Sequence, residues 1–260
     1  MELREVLNYR NPARVAFGWY AWTVFLALGL PTALAVAVLP GLHARRRLAR
    51  AAARCFFALC GIRVRLLDAE LLPHGPCIVV ANHASYLDGV VLTAALPADF
   101  GFVIKQEMRR LPIAHLLLRR IGSEFVERVD RRRSASDARR LLKAAAGGQA
   151  LAFFPEGTFL HARGLGPFHS GAFVTAARAG LPVAPVLIRG ARAVLPPGAR
   201  LPRPGISIDV RVLLSKNAGG ADGPAARRLR DEVRQIMLAE LGEPDLLPKP
   251  QLETIPDRSA

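Results

Sequence analysis

Twenty-eight consecutive residues, Val15 to Leu42, contain no Asp, Glu, Lys, Arg or His. An α-helix needs roughly 20 apolar residues to cross the hydrocarbon of a bilayer, so the run is long enough to do so. Trp19, Tyr20 and Trp22 stand near its start, and Arg45, Arg46, Arg47 and Arg50 follow its end. Such aromatic residues suit the lipid interface, and such arginines suit anionic headgroups. A cleaved signal peptide fits poorly, because the run is long and passes into basic sequence instead of a small-residue processing site. Basic flanks at both ends fit poorly with a simple positive-inside span, and Pro31 is expected to kink or break the run. The segment reads as membrane-associated. One transmembrane helix and a re-entrant or in-plane helical hairpin are both open, against a hydrophobic helix packed on a soluble body.

The chain has 260 residues, 51% of them hydrophobic, enough to bury a substantial core in one domain. The expected division is an N-terminal membrane-associated helical element over 1–55, a folded body over 56–241 and a flexible proline-containing tail over 242–260. Lys and Arg number 36 against 21 Asp and Glu, a formal net charge of +15 that suits phosphate-bearing partners and an anionic membrane surface. Arginine supplies 32 of those 36 basic residues, which a GC-rich coding sequence would also produce. No nucleic-acid reading element accompanies the charge, so no nucleic-acid partner is expected. Cys55, Cys60 and Cys77 form neither a paired disulfide framework nor a zinc spacing, which fits a reducing compartment and no metal site.

Past the apolar run, short hydrophobic segments alternate with helical patterns. Strands are expected over Gly61–Leu67, Pro76–Ala81, Phe100–Ile104, Ser123–Val126, Ala150–Phe154, Val183–Ile188 and Ile206–Leu213. Helices are expected from Ser85 or Asp88, and over Ile113–Arg120, Ser134–Ala146, Gly171–Ala179 and about Pro224–Leu241. Parallel neighbours need crossovers, so this alternation predicts an α/β body with a mixed, mainly parallel sheet flanked by helices.

Asn82-His83-Ala84-Ser85-Tyr86-Leu87-Asp88 sets a histidine and a carboxylate five positions apart directly after an apolar strand. On an uninterrupted helix the two would point about 140° apart, whereas a strand-to-helix bend could bring them together. His83 could then take a proton from a substrate hydroxyl while Asp88 fixes the imidazole tautomer. The bland alternative is a local helix-capping hydrogen bond. Phe154-Pro155-Glu156-Gly157-Thr158-Phe159 follows another strand, and its Pro155 and Gly157 suit a tight turn that presents Glu156 and Thr158. The glycines that follow lack the terminal lysine and hydroxyl of a P-loop. Between these motifs, Lys105 to Lys143 holds 12 basic and five acidic residues. There Arg128, at the end of a strand, could fork onto two phosphate oxygens, while Arg131, Arg132 and Arg133 form either a basic rim or a solvated surface.

Taken together, these blocks resemble the phospholipid and glycerol acyltransferase family, the bacterial 1-acyl-glycerol-3-phosphate acyltransferases in particular. The resemblance spans about Gly61 to Leu213 and includes Leu181-Pro182-Val183-Ala184-Pro185-Val186. It implies His83 as general base and Asp88 as its orienting carboxylate. Arg128, Glu156, Gly157 and Thr158 would bind the acceptor, with Lys105, Arg131 and Arg132 assisting headgroup or donor binding. Asn82, Ser85, Pro155, Pro182 and Pro185 would support the motifs. It further implies no bound cofactor and an acyl-CoA or acyl carrier protein thioester as donor substrate. The acceptor would be a membrane lipid, and the chain would sit at a bacterial inner membrane with its catalytic body on the cytoplasmic side. Where the family commonly has a basic residue after Thr158, this chain has Phe159. The expected reaction acylates the sn-2 hydroxyl of 1-acyl-sn-glycerol 3-phosphate to give phosphatidic acid. Acylation of another lysophospholipid or a lipid amine such as a lyso-ornithine lipid stands second, and a noncatalytic membrane-binding module third.

Overall fold

The computed structural model describes residues 11–127 and 131–247. Helix α1 (Pro12–Val38) takes up nearly all of the uncharged run. Asn11 caps it, its side-chain oxygen accepting from the amides of Ala13 at 3.0 Å and Arg14 at 3.4 Å, and Pro12 opens it where no amide is needed. The helix runs unbroken through Pro31, contrary to the expected break. Packing on both sides of the proline accounts for this. Phe25 and Leu28 sit against the main core, and Val36 packs with Ala49 and Ile121.

A turn at residues 39–41, with Gly41 at φ +78°, leads into α2 (Leu42–Leu59), which packs back against α1. α2 is amphipathic: Ala49, Ala53, Phe56 and Phe57 are buried, while Arg47 and Arg54 point outward. The pair is tied to the body along the first half of α1 and at its C-terminal end. Trp22 Nε1 donates to Arg200 O at 2.8 Å, and a Cβ on Gly18 would lie 2.6 Å from Leu201 Cβ, so a glycine is what lets the helix approach so closely. At the other end Arg120 donates to the carbonyls of Val36 and Ala37, and Arg45 Nε donates to Leu39 O at 2.7 Å, satisfying terminal carbonyls of the helix.

The body contains β1 (Val64–Leu67), β2 (Ile78–Ala81), α3 (Asp88–Ala95), β3 (Phe100–Lys105), α4 (Pro112–Arg120), β4 (Glu124–Val126) and α5 (Arg131–Ala146). It continues with β5 (Ala150–Phe153), α6 (Gly171–Ala179), β6 (Val183–Arg189), the single turn α7 (Ala191–Val194), β7 (Ile208–Val212) and α8 (Gly223–Leu241). The strands form one sheet in the order β1-β7-β6-β2-β5-β3-β4. β2 through β6 are parallel, while β7 is antiparallel to β6 and β1 parallel to β7. The expected mixed, mainly parallel sheet is therefore the observed one, with every predicted strand present among the described residues.

β2 and β5 are wholly buried on both faces, as the all-apolar Ile78-Val79-Val80-Ala81 and Ala150-Leu151-Ala152-Phe153 require. Their alternating side chains feed two cores. Val79 and Ala81 join Phe57 and Leu92 under α1, α2 and α3, while Ile78 and Val80 join Phe173 and Val233 under α6 and α8. Strand order reverses around β2, so the loops leaving the carboxyl ends of β2 and β5 meet at one edge, where open α/β sheets gather their ligands. Residues 242–247 follow α8 and lie against the loop around Leu165, and the rest of the C-terminal stretch is outside the described residues.

Candidate active site

Asn82 ends β2 and extends the sheet with its side chain. Its Nδ2 donates to Ile188 O at 3.0 Å and its Oδ1 accepts from Ile188 N at 2.7 Å, mimicking a backbone ladder toward β6. The chain then bends, and Ser85 fixes the bend by donating to Leu195 O at 2.8 Å and accepting from Leu87 N at 3.2 Å. Asp88 opens α3, fully buried. One of its oxygens, Oδ2, lies 2.8 Å from His83 Nδ1 and accepts from the amides of Ala84 at 2.6 Å and Ser85 at 2.8 Å. The two residues that a continuous helix would have separated are thus brought together by a bend whose own amides converge on the same carboxylate.

Glu156 grips the other side of His83. Its Oε1 accepts from His83 N at 2.7 Å and its Oε2 from Gly166 N at 2.8 Å. Burial pushes the Glu156 carboxyl above its ordinary value of 4.5, and the amides of His83 and Gly166 pull it the other way. Both oxygens are taken up by main-chain amides, so the observed contacts of Glu156 are with the backbone of His83 and Gly166. Pro155 and Gly157 are buried, and Gly157, at φ +78°, closes a turn in which its amide donates to Phe154 O at 3.0 Å.

The imidazole is stacked on Phe154, with ring centroids 4.4 Å apart and planes at 22°. Phe159 meets it edge-on at 4.9 Å and in turn meets Tyr86 at 4.5 Å. With Nδ1 engaged by Asp88, Nε2 is the ring nitrogen left for proton transfer. His83 lines a cavity of about 650 Å³, within the roughly 300–1,000 Å³ of ordinary ligand pockets. The walls are largely apolar: Phe25, Leu28 and Gly29 from α1, Ala53 and Phe56 from α2, and Val90 from α3. Lys105, Gly157 and Thr158 also line it.

The predicted residues His83, Asp88, Glu156, Gly157, Thr158 and Lys105 therefore converge at one edge of the sheet. Pro182 and Pro185 sit farther back, the carbonyl of Pro182 accepting from Ile78 N at 2.9 Å and that of Pro185 from Leu213 N at 2.9 Å. Val126 ends β4 beside Lys105, but Arg128 lies outside the described residues. Arg131 and Arg132 open α5. The aromatic wall of Phe154, Phe159 and Tyr86, and the share of α1 and α2 in the cavity, carry no local sequence signal beyond apolar residues near the two motifs. Among the described residues no cluster of three His, Cys, Asp or Glu side chains is arranged to hold a metal ion.

Comparison with known proteins places the chain among acyltransferases. A family model described as "Acyltransferase" matches residues 63–189. A 1-acyl-sn-glycerol-3-phosphate acyltransferase of Chlamydomonas reinhardtii is 30% identical over 236 residues, covering 87% of this chain and 69% of that protein. A lyso-ornithine lipid O-acyltransferase of Rhizobium meliloti is 38% identical over 117 residues, 45% of this chain and 39% of that one. The crystal structure of the 1-acyl-sn-glycerophosphate acyltransferase PlsC from Thermotoga maritima has the same fold, with a TM-score of 0.71, 21% identity, and coverage of 92% of this chain and 98% of that one. The chain spans about half the length of several other curated relatives that it matches.

Proposed function

The chain belongs to the acyltransferase family, alongside the 1-acyl-sn-glycerol-3-phosphate acyltransferases, and on that premise we propose that it moves a fatty acyl group from a thioester to the sn-2 hydroxyl of 1-acyl-sn-glycerol 3-phosphate, forming phosphatidic acid. The observation that carries this reading is the His83–Asp88 pair, whose imidazole lines a largely apolar cavity.

His83 Nε2 takes the acceptor's hydroxyl proton as that oxygen attacks the thioester carbonyl, forming the new C–O bond. Asp88 holds the Nδ1–H tautomer and offsets the positive charge that develops on the ring. The tetrahedral adduct collapses with loss of the C–S bond, and the sulfur leaves as the thiol of coenzyme A or acyl carrier protein, taking the proton from His83. No acyl-enzyme is required, because the nucleophile belongs to the acceptor. The cavity accommodates hydrocarbon. Arg128, Thr158, Lys105, Arg131 and Arg132 are our candidates for the phosphate and the donor.

Among the described residues one helix, Pro12–Val38, is long and apolar enough to cross a bilayer, and only 17% of its most apolar window is buried. We assign residues 1–55 to the membrane surface, with α1 and α2 lying in one leaflet. α1 is bonded to the body at Trp22 and again at its C-terminal end, so threading it across the bilayer would draw charged loops into hydrocarbon. Trp19, Leu26, Leu30 and Leu34 are exposed on its outer side and supply the lipid-facing surface. Our assignment is a bacterial inner membrane with the body on the cytoplasmic side, where thioester donors occur.

Acylation of a lyso-ornithine lipid is the second reading. It is favoured by Phe159, an uncharged residue against His83, and by the likeness to the Rhizobium protein. Purified membranes supplied with acyl-CoA or acyl carrier protein donors and a panel of lysolipids decide between the two. Product mass and position identify the acceptor, and His83→Ala is the control. Turnover that survives in the His83→Ala protein would overturn the mechanism.

A further inference from the structure

The carboxylate that holds the His83 amide is itself held from the far end of the chain. Glu156 Oε2 accepts from Gly166 N at 2.8 Å, and a Cβ on Gly166 would stand 3.0 Å from that oxygen, so carboxylate and loop are in direct contact. The carbonyls of that loop are claimed by one arginine. Arg234 of α8, 4% exposed, donates from Nε to Gly166 O at 2.9 Å and from Nη2 to Leu165 O at 2.9 Å. Two further donors go to Asp245, with Nη1 at 3.3 Å from Oδ2 and Nη2 paired to Oδ1.

Asp245 belongs to a short extended segment that pairs with the same loop. Leu165 N donates to Pro244 O at 3.0 Å, and Leu246 N donates to Leu165 O at 3.1 Å. The two backbones meet so closely that a Cβ on Gly164, which has φ +146°, would lie 2.5 Å from Pro244 O. Leu165 is fully buried between them. A planar guanidinium forked over two consecutive carbonyls fixes their direction, and with it the direction of the Gly166 amide that Glu156 receives. The chain of contacts from Asp245 through Arg234, Gly166 and Glu156 to His83 N has no gap.

We propose that Arg234 and Asp245 are positioning residues for acyl transfer, which set the Gly166 amide so that Glu156 holds the main chain of His83 and keeps its imidazole facing the acceptor. This rests on the acyl-transfer reading above. Neither residue touches the cavity. Loss of Arg234 therefore slows the chemical step without weakening donor binding, and it acts only while Glu156 is there to transmit it.

The test is a double-mutant cycle on the purified full chain in lipid–detergent micelles, with 1-oleoyl-sn-glycerol 3-phosphate as acceptor and palmitoyl-CoA as donor. Arg234→Met is expected to lower kcat about tenfold with the donor KM nearly unchanged, and to cost less than about twofold when added to Glu156→Gln. Arg234→Lys should not rescue, since one ammonium cannot span both carbonyls and the carboxylate. Should the methionine variant fail to fold, Arg234→Lys and Asp245→Asn carry the same cycle.

A second readout needs no turnover: the rate at which diethyl pyrocarbonate modifies His83, followed by peptide mass spectrometry. It should change with Arg234→Met in the Glu156 protein and stay constant in the Glu156→Gln protein. A wild-type chain inactive on every lysolipid would sink the acyl-transfer reading, and the labelling rates would still decide the coupling. Equal losses on both backgrounds, or no change in either readout with the fold intact, would overturn the proposal.

Discussion

Three donors converge on one oxygen of Asp88, and the His83 ring nitrogen, at 2.8 Å, is only one of them. The other oxygen, Oδ1, is buried without a hydrogen-bond partner. An asparagine can set its carbonyl where Oδ2 stands and its amide group where Oδ1 stands, which keeps the bend and removes the charge. Asp88→Asn is accordingly expected to retain the fold, with a stability cost of about 1–3 kcal/mol for the buried amide, and to lower kcat by roughly 10²–10⁴. His83→Ala should reach the same floor, and the double variant should be little worse than either single one. Steady-state kinetics with a thermal melt on each protein checks this; full activity in Asp88→Asn would remove the carboxylate from the mechanism.

Glu156 makes activity and stability respond to pH in opposite senses. Burial raises its carboxyl above 4.5 in the folded chain, with His83 and Asp88 the titratable neighbours that face it. The folded form therefore holds the proton more readily than the unfolded one. Its stability contribution is full below about 4.5 and is lost as pH rises through the higher folded value. Activity requires the ionised form, which accepts both amides, so turnover falls as pH drops through the same interval. In Glu156→Gln, denaturation midpoints should lose this slope, and kcat should fall by about 10²-fold, the scale of a 1 Å misplacement. Matched midpoints and rates at a series of pH values would show whether the two curves cross as expected.

The headgroup preference is open to a single substitution. Phe159 packs on His83 and Tyr86 and lines the cavity, so on the proposed reading a cation in its place would stand close to the acceptor. A charge-assisted hydrogen bond contributes about 1.5–3 kcal/mol, so Phe159→Arg should raise kcat/KM for 1-acyl-sn-glycerol 3-phosphate relative to a lyso-ornithine lipid by about tenfold. Competition between the two acceptors in one vesicle, read by product mass, measures the ratio directly. An unchanged ratio would mean that the headgroup lies elsewhere, with Arg128 the next residue to vary.

Strands were legible where their burial is local. Ile78-Val79-Val80-Ala81 is apolar at every position because both faces of β2 are covered, and the bend after it is signalled by Asn82 and Asp88. The family blocks pointed to His83, Lys105, Gly157 and Thr158, which line the cavity, and to Asp88 and Glu156, which bond to His83, whereas Pro182 and Pro185 lie farther back and Arg128 is outside the described residues. What could not be read were pairings between segments far apart in sequence. Nothing near Gly18 announces Leu201, and nothing near Glu156 announces Arg234, because each contact depends on how two separately encoded elements dock. Pro31 misled as to a break for the same reason: a proline weakens an isolated helix, but here tertiary packing on both sides of it keeps the helix continuous.

Gly29 offers the sharpest test of what the cavity holds. It lines the cavity from α1, and a Cβ built there meets no atom within 4 Å, so a side chain starting at this position begins in open space. Leucine also favours the helix by about 1 kcal/mol over glycine, so Gly29→Leu should be at least as stable as the parent. Its side chain takes volume that hydrocarbon would otherwise fill. Each methylene thereby excluded forfeits about 0.8 kcal/mol of burial, roughly a fourfold loss per carbon for chains long enough to reach it. The variant should therefore process short chains at nearly the parental rate and discriminate progressively against longer ones. Varying donor and acceptor chain length independently shows which of the two occupies the space, since only that one's profile shifts. Unaltered selectivity on both sides, in a folded and active variant, would mean that the cavity between α1 and the body is not where either chain lies.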